Sequence, residues 1–186
     1  MYSNYMKSLT LSSALQTFNR LFDSAQREMF KAEVLQDYTI VDDSPSLRAW
    51  LAGDEQGSIQ LGAKDKSIVA YRNKCLQSPA RITRVHVVKT PYTPYLEWEI
   101  AVCYKDSLIA HNAESILLID LDGLDYELPT GDFWIFDDKL VLQWRYKDGV
   151  GEIVGATIWD EADGDNIDEF RRLRSVLLSK AHRVVV

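Results

Sequence analysis

One segment constrains this chain more than any other. Residues 81–89, RITRVHVVK, form a short β-branched run, and Thr93-Pro94 follows almost at once. β-Branched side chains pack well on a pleated surface, so the run predicts a strand. Thr93 is a good N-cap and Pro94 a good first helical residue, so a long helix is predicted over 93–109. Along the strand, Ile82, Arg84, His86 and Val88 alternate with Arg81, Thr83, Val85 and Val87. The half carrying Val85, Val87 and Val88 has the near-continuous apolar character of a strand buried on both faces. A buried strand of this kind demands helical cover.

The flanking sequence supplies both more strands and the cover. Leu11, Leu15, Phe18 and Phe22 recur at helical spacing over 11–25, with Ser12 and Ser13 as caps. Around 30–36, Phe30, Ala32 and Val34 alternate with Lys31, Glu33 and Leu35, which predicts a strand. Asp42-Asp43-Ser44-Pro45 reads as a turn and a helix start, and the helix ends at Gly53. Residues 54–62 read as a loop, 64–77 as a helix stopped by Ser78-Pro79, and Ile116–Ile119 as a short strand. A turn-rich connection over 120–131 leads to a meander: DFWIF, LVLQWRY and EIVGATIW, joined at Asp137-Asp138-Lys139 and Lys147-Asp148-Gly149. Trp134, Trp144 and Trp159 sit on these three strands, and a face shared by Leu140, Leu142, Trp144 and Tyr146 is expected to be core. A last helix, 165–181, follows an acidic loop. The fold class is therefore α/β (α+β): a single mixed β-sheet covered by helices. With no repeat or linker, 186 residues read as one domain, an N-terminal helical segment 1–25 and a core 26–181.

Composition bears on partners and compartment. The net charge of −7 repels phosphate backbones, so direct nucleic-acid contact and docking on anionic membranes are not expected. No apolar run reaches the roughly 18 residues of a membrane span, and the N-terminus lacks the pattern of a signal peptide. Cys75 and Cys103 are the two cysteines, with no disulfide framework or metal spacing, and reduced, buried thiols are expected. The expected compartment is the cytoplasm.

Several segments carry a resemblance. FKAEVLQDY, AWLAG, ITRVHVVKTPYTPYLEWEIAVCY and GDFWIFDD resemble an uncharacterised actinobacterial family of unknown function over about Phe18 to Ala181. PYTPYLEWE and DFWIFDD are the most specific pieces. Genes of that family often lie near helix-turn-helix regulators. The strand–helix alternation ending in a meander also resembles half of a phospholipase D-like fold, whose regulatory versions lack the catalytic residues and bind ligands or partners. This second resemblance is of fold and does not fix function.

The chemistry of that fold can be tested residue by residue. It needs a histidine with a lysine two positions on. His86 is followed there by Val88, His111 by Ala113 and His182 by Val184, so the motif is absent. No G-x-S-x-G, G-x-G-x-x-G or G-K-[ST] occurs either, and no catalytic residue or cofactor is assigned. Glu97 and Glu99 lie about 200° apart on a helix and cannot work as a pair. Glu99 shares a face with Tyr95, Val102 and Cys103 and needs a partner, for which Arg84 or Arg81 is the candidate. Asp137-Asp138 is explained by turn closure, and the acidic run over 160–169 by a helix start, since the EF-hand order is not met. No metal site is assigned. Arg171-Arg172-Leu173-Arg174 reads as a solvated helix face.

The candidate ligand or partner site is thus Arg84, His86, Tyr95, Glu99, Asp137 and Asp138. The expected function is a non-enzymatic interaction module that binds a protein partner, such as a helix-turn-helix regulator, or a small ligand for it. Self-association as a homodimer stays open. The alternative is a hydrolase or transferase with an acidic pocket formed by Arg84, Glu99 and Asp137.

Overall fold

The computed structural model describes residues 7–38, 44–147 and 151–184. In chain order the elements are β1 (Lys7–Thr10), α1 (Leu11–Ser24), β2 (Glu28–Glu33), α2 (Pro45–Leu51), α3 (Glu55–Gly62), α4 (Lys66–Gln77) and β3 (Arg81–Val88). They continue with α5 (Pro94–Trp98), which runs on as a π-helix over Glu99–Ile109, then β4 (Ser115–Asp120), β5 (Phe133–Phe136), β6 (Leu140–Tyr146), β7 (Ile153–Trp159), α6 (Gly164–Lys180) and β8 (His182–Arg183). The strands form one mixed sheet of order β1-β7-β6-β5-β2-β3-β4-β8. β2, β3 and β4 are parallel, and the other neighbours are antiparallel. The expected fold class therefore holds.

Local chemistry explains most boundaries. Thr93 Oγ1 accepts the Leu96 N–H at 3.1 Å, and Ser44 Oγ accepts the Leu47 N–H at 3.4 Å, each ahead of a proline. Asp137 and Asp138 have φ of 49° and 63°, the paired left-handed conformation that matches a two-residue turn to the twist of β5 and β6. Asp42, Asp43, Asp148 and Gly149 lie outside the described residues.

Four expectations are corrected. Residues 55–62 are a helix rather than a loop. Asp54 caps it at Gly57 N, 2.8 Å, and Ser46 and Ser58 hydrogen-bond each other's carbonyls at 2.8 Å, locking α2 to α3. Tertiary contact here overrides the poor helix propensity of Gly57 and Gly62. The N-cap of α1 is Thr10, not Ser12 or Ser13. The predicted helix over 93–109 widens after Trp98, as Ala110 N–H bonds Lys105 O at 3.0 Å, five residues back. Finally, two edge strands were not expected: β1 pairs with β7 at Leu9↔Ala156, and β8, beyond the expected core limit, edges β4.

Each face of the sheet buries its own core. One face carries Met29, Ile82, Ile116, Trp134, Leu142 and Trp144 under α1, α4 and the π-helix. The other carries Phe30, Val85, Phe133, Val141 and Trp159 under α6. The predicted core face of Trp144 holds, whereas Trp159 points to the opposite side. Both cysteines are free; Cys75 is buried and Cys103 half-buried. Among the described residues no helix is long and apolar enough to cross a membrane.

The packing of α3 on the π-helix leaves no room at Gly62, where an added Cβ would lie 2.2 Å from Val102 Cγ1. Gly62→Ala is expected to cost about 1–3 kcal/mol through overpacking, read as a lower urea midpoint at unchanged slope.

Candidate functional site

The first face of the sheet holds a line of charge beneath its helices. Parallel pairing sets Lys31 beside Arg84 and Glu33 beside His86. Strand alternation then points all four side chains to the same side. Glu33 is 3% exposed, so the row is covered rather than solvated.

Arg84 is the centre of the line. Its Nε donates to Glu114 Oε2 at 2.8 Å and its Nη2 to Glu114 Oε1 at 3.1 Å, a bidentate pair. Nη1 donates to Glu33 Oε2 at 3.1 Å, and the guanidinium lies 5.0 Å from the Tyr104 ring centroid. Tyr71 completes this end by donating to Glu114. The expected Arg84–Glu99 or Arg81–Glu99 pair is not formed. Arg81 is exposed, and Arg84 takes two carboxylates from outside the helix. Burial works against the charge on Glu33, but Arg84, Lys31 and His86 outweigh it and hold its carboxyl well below the usual range.

Hydrogen-bond partners hold both ring nitrogens of His86, a fully buried side chain. Nε2 lies 2.7 Å from Leu35 O, which can only accept, so Nε2 carries a proton. Nδ1 lies 2.8 Å from Tyr104 Oη, which donates to Glu33 Oε2 at 2.6 Å. The phenol has one proton. That proton is directed to Glu33, which Arg84 also reaches. Lys31 and Arg84 thus face Glu33 and Glu114, and His86 lies between Glu33 and Glu99.

Glu99 is the loosely held member. Its Oε2 is 3.6 Å from His86 Nδ1 and has no hydrogen bond, while Oε1 accepts from Tyr95 at 3.5 Å. Burial, reinforced by the charge of Glu33, pushes its carboxyl up to about 7. Beyond Tyr95 the line reaches a second buried acid. Asp132 accepts from Tyr38 and Tyr146, both at 2.8 Å, and from Val34 N–H at 2.9 Å. Burial and then Glu33 raise its pKa.

The predicted site residues therefore divide. Arg84, His86, Tyr95 and Glu99 come together. Asp137 and Asp138 do not join them, because their turn lies at the opposite end of β2, where Asp137 N–H bonds Glu28 O. Asp137 instead accepts the N–H groups of Gln26, Arg27 and Glu28 at 2.8–3.0 Å. Burial disfavours its charge, but these bonds prevail and keep its carboxyl below the ordinary range. Asp138 pairs with Arg171 and Arg174, so the arginine cluster is not a simple solvated face. Sequence reasoning missed Lys31, Glu33, Tyr71, Tyr104, Glu114 and Asp132. The available signal was Arg84 and His86 sharing a strand face with Ile82 and Val88, which implies buried counter-charges. Among the described residues no group of three His, Cys, Asp or Glu could hold a metal.

Removing Arg84 leaves Glu33 and Glu114 buried without compensation. Arg84→Met should cost about 3–5 kcal/mol, measured by chemical denaturation. Glu99 gives a pH signature. A carboxyl raised in the folded state binds its proton more tightly than in the unfolded chain, so stability falls as pH rises from about 4.5 to 7. Glu99→Gln should abolish that loss.

Comparison with known proteins adds the following. No curated protein matches the chain. Among solved structures, the chain is similar to TrmBL2, an archaeal chromatin protein with a novel mode of DNA binding, at 11% identity and a TM-score of 0.43. That match covers 98% of this chain and 56% of TrmBL2, so the chain spans little more than half the length of that relative. It is also similar to NucT from Helicobacter pylori, at 13% identity and a TM-score of 0.47, over 95% of this chain and 97% of NucT. The exclusion of direct nucleic-acid contact is corrected: a DNA-binding chromatin protein is among the solved structures to which the chain is similar. Physically, a net charge sums the whole surface and forbids no local contact. Residues 16–185 match the model of DUF6879, a domain of unknown function, and the chain belongs to that family.

Proposed function

We propose that this domain is a cytoplasmic regulatory module that acts by binding rather than turnover, with a helix-turn-helix transcriptional regulator as its partner. One observation carries the reading. The groups with most chemical potential, Arg84, Glu33, Glu114 and His86, neutralise one another where every side chain is at most 5% exposed. Such a network fixes strand and helix positions and presents nothing to a substrate. The resemblance to a phospholipase D-like half supports the same view, since none of the three histidines has a lysine two residues on. Recognition then belongs to the surface that this rigid centre supports.

Glu99 favours a second reading. A buried carboxyl with an unpartnered oxygen, raised to about 7 beside His86, has the character of an acid–base group. Asp137, the third member of the expected acidic pocket, is engaged elsewhere, so a hydrolase or transferase at this place would work with Glu99 and His86 alone.

Co-expression with a helix-turn-helix regulator taken from the genes flanking its own, followed by size-exclusion chromatography with light scattering, tests the proposal. A single complex with altered operator affinity is expected, together with no cleavage of bis(4-nitrophenyl) phosphate. Separate elution of the two proteins, or cleavage lost in Glu99→Gln, would overturn it.

A further inference from the structure

The second face of the sheet, away from the charge network, bears a groove of about 770 Å³ between the 125–130 connection and α6. Its floor is aromatic. Trp159 and Phe170 pack at 5.0 Å between ring centroids, Phe170 meets Phe133 at 4.9 Å behind them, and Tyr126 forms one wall. Its rim is acidic. Asp125, Glu127 and Glu169 line it, and no Lys or Arg does. These three carboxylates have no hydrogen bond or ion pair among the described residues.

The neighbouring cations are committed elsewhere. Arg171 pairs with Asp168 and Asp138, Arg174 with Glu28 and Asp138, Arg172 donates to Asp168 O, and Lys180 to Gly123 O. The groove's negative charge is therefore left without an internal counter-charge. Carboxylates above aromatic faces suit one chemistry: a cation on an extended stem, whose methylenes lie on the rings and whose charge reaches the rim.

We propose that this groove docks an arginine- or lysine-bearing segment of a partner protein. The assignment rests on the reading of the domain as a binding module and names the chemistry of the partner. A segment of several residues fits the volume better than a single side chain, and charge complementarity supplies both on-rate and selection against acidic segments.

The probe is a labelled octapeptide of alternating arginine and alanine, with its glutamate–alanine counterpart as control. Binding is followed by fluorescence anisotropy and by amide shifts in labelled protein. The arginine peptide should shift amides over 125–130 and 166–173, and the glutamate peptide should shift none. The double variant Glu127→Gln/Glu169→Gln should weaken binding about tenfold and flatten its salt dependence. Glu55→Gln/Glu97→Gln removes the same charge from helices on the other face and should leave affinity unchanged. Equal affinity in both double variants, or shifts outside the groove, would overturn the proposal. So would concentration-dependent self-association abolished by Glu127→Gln/Glu169→Gln, which would make a second copy the occupant. Turnover of bis(4-nitrophenyl) phosphate is read separately. Cleavage with groove binding intact would sink the non-enzymatic reading and leave the groove assignment standing.

Discussion

The Arg84 guanidinium is the constraint on which the rest of the structure depends. A charge buried to this degree must be matched, or its desolvation outweighs what neighbouring packing supplies. Its partners come from separate elements: Glu33 from β2, Glu114 from the turn before β4, Tyr71 from α4 and Tyr104 from the π-helix. Satisfying one residue therefore fixes strand register and seats two helices at once. Apolar contacts tolerate small slips of a helix on a sheet. A bidentate arginine–carboxylate pair does not.

That network divides the molecule by task. On its own face the polar line runs between Trp134, Phe22 and Leu108, so charge is embedded in a hydrophobic layer and shielded from solvent. On the α6 face the core is apolar apart from the buried Thr157, and its charged groups lie at the rim. The first face holds shape through directional bonds, and the second exposes rings and unneutralised carboxylates. The proposed recognition is assigned to the second face because groups already paired to one another have little left to offer a partner.

Much of the fold was legible in local chemistry. Thr93-Pro94 and Ser44-Pro45 announced helix starts, and Asp137-Asp138 announced the hairpin, because caps and turns depend on a few neighbouring residues. The α3 helix was not legible, since its stability comes from Ser46 and Trp98 across the chain rather than from EQGSIQLG. Nor were β1 and β8, short polar strands that exist through pairing to β7 and β4. Of the site, Arg84, His86, Tyr95 and Glu99 were found because charge at core-facing positions stands out. Glu33 and Lys31 were not, because an alternating charged row reads as solvent-facing unless a second layer is known to cover it.

The sequence by itself determined the helices with strong caps, most strands, the mixed-sheet class and the lack of a histidine–lysine motif, all of which follow from residue type and short-range spacing. Only the tertiary structure decided which acid meets which base. Arg84 takes Glu33 and Glu114 instead of Glu99, Asp137 serves backbone N–H groups, and Tyr104 bridges His86 and Glu33. Those choices depend on strand order and sheet face. Strand order is a property of non-local pairing, to which the spacing of residues along one chain segment is blind.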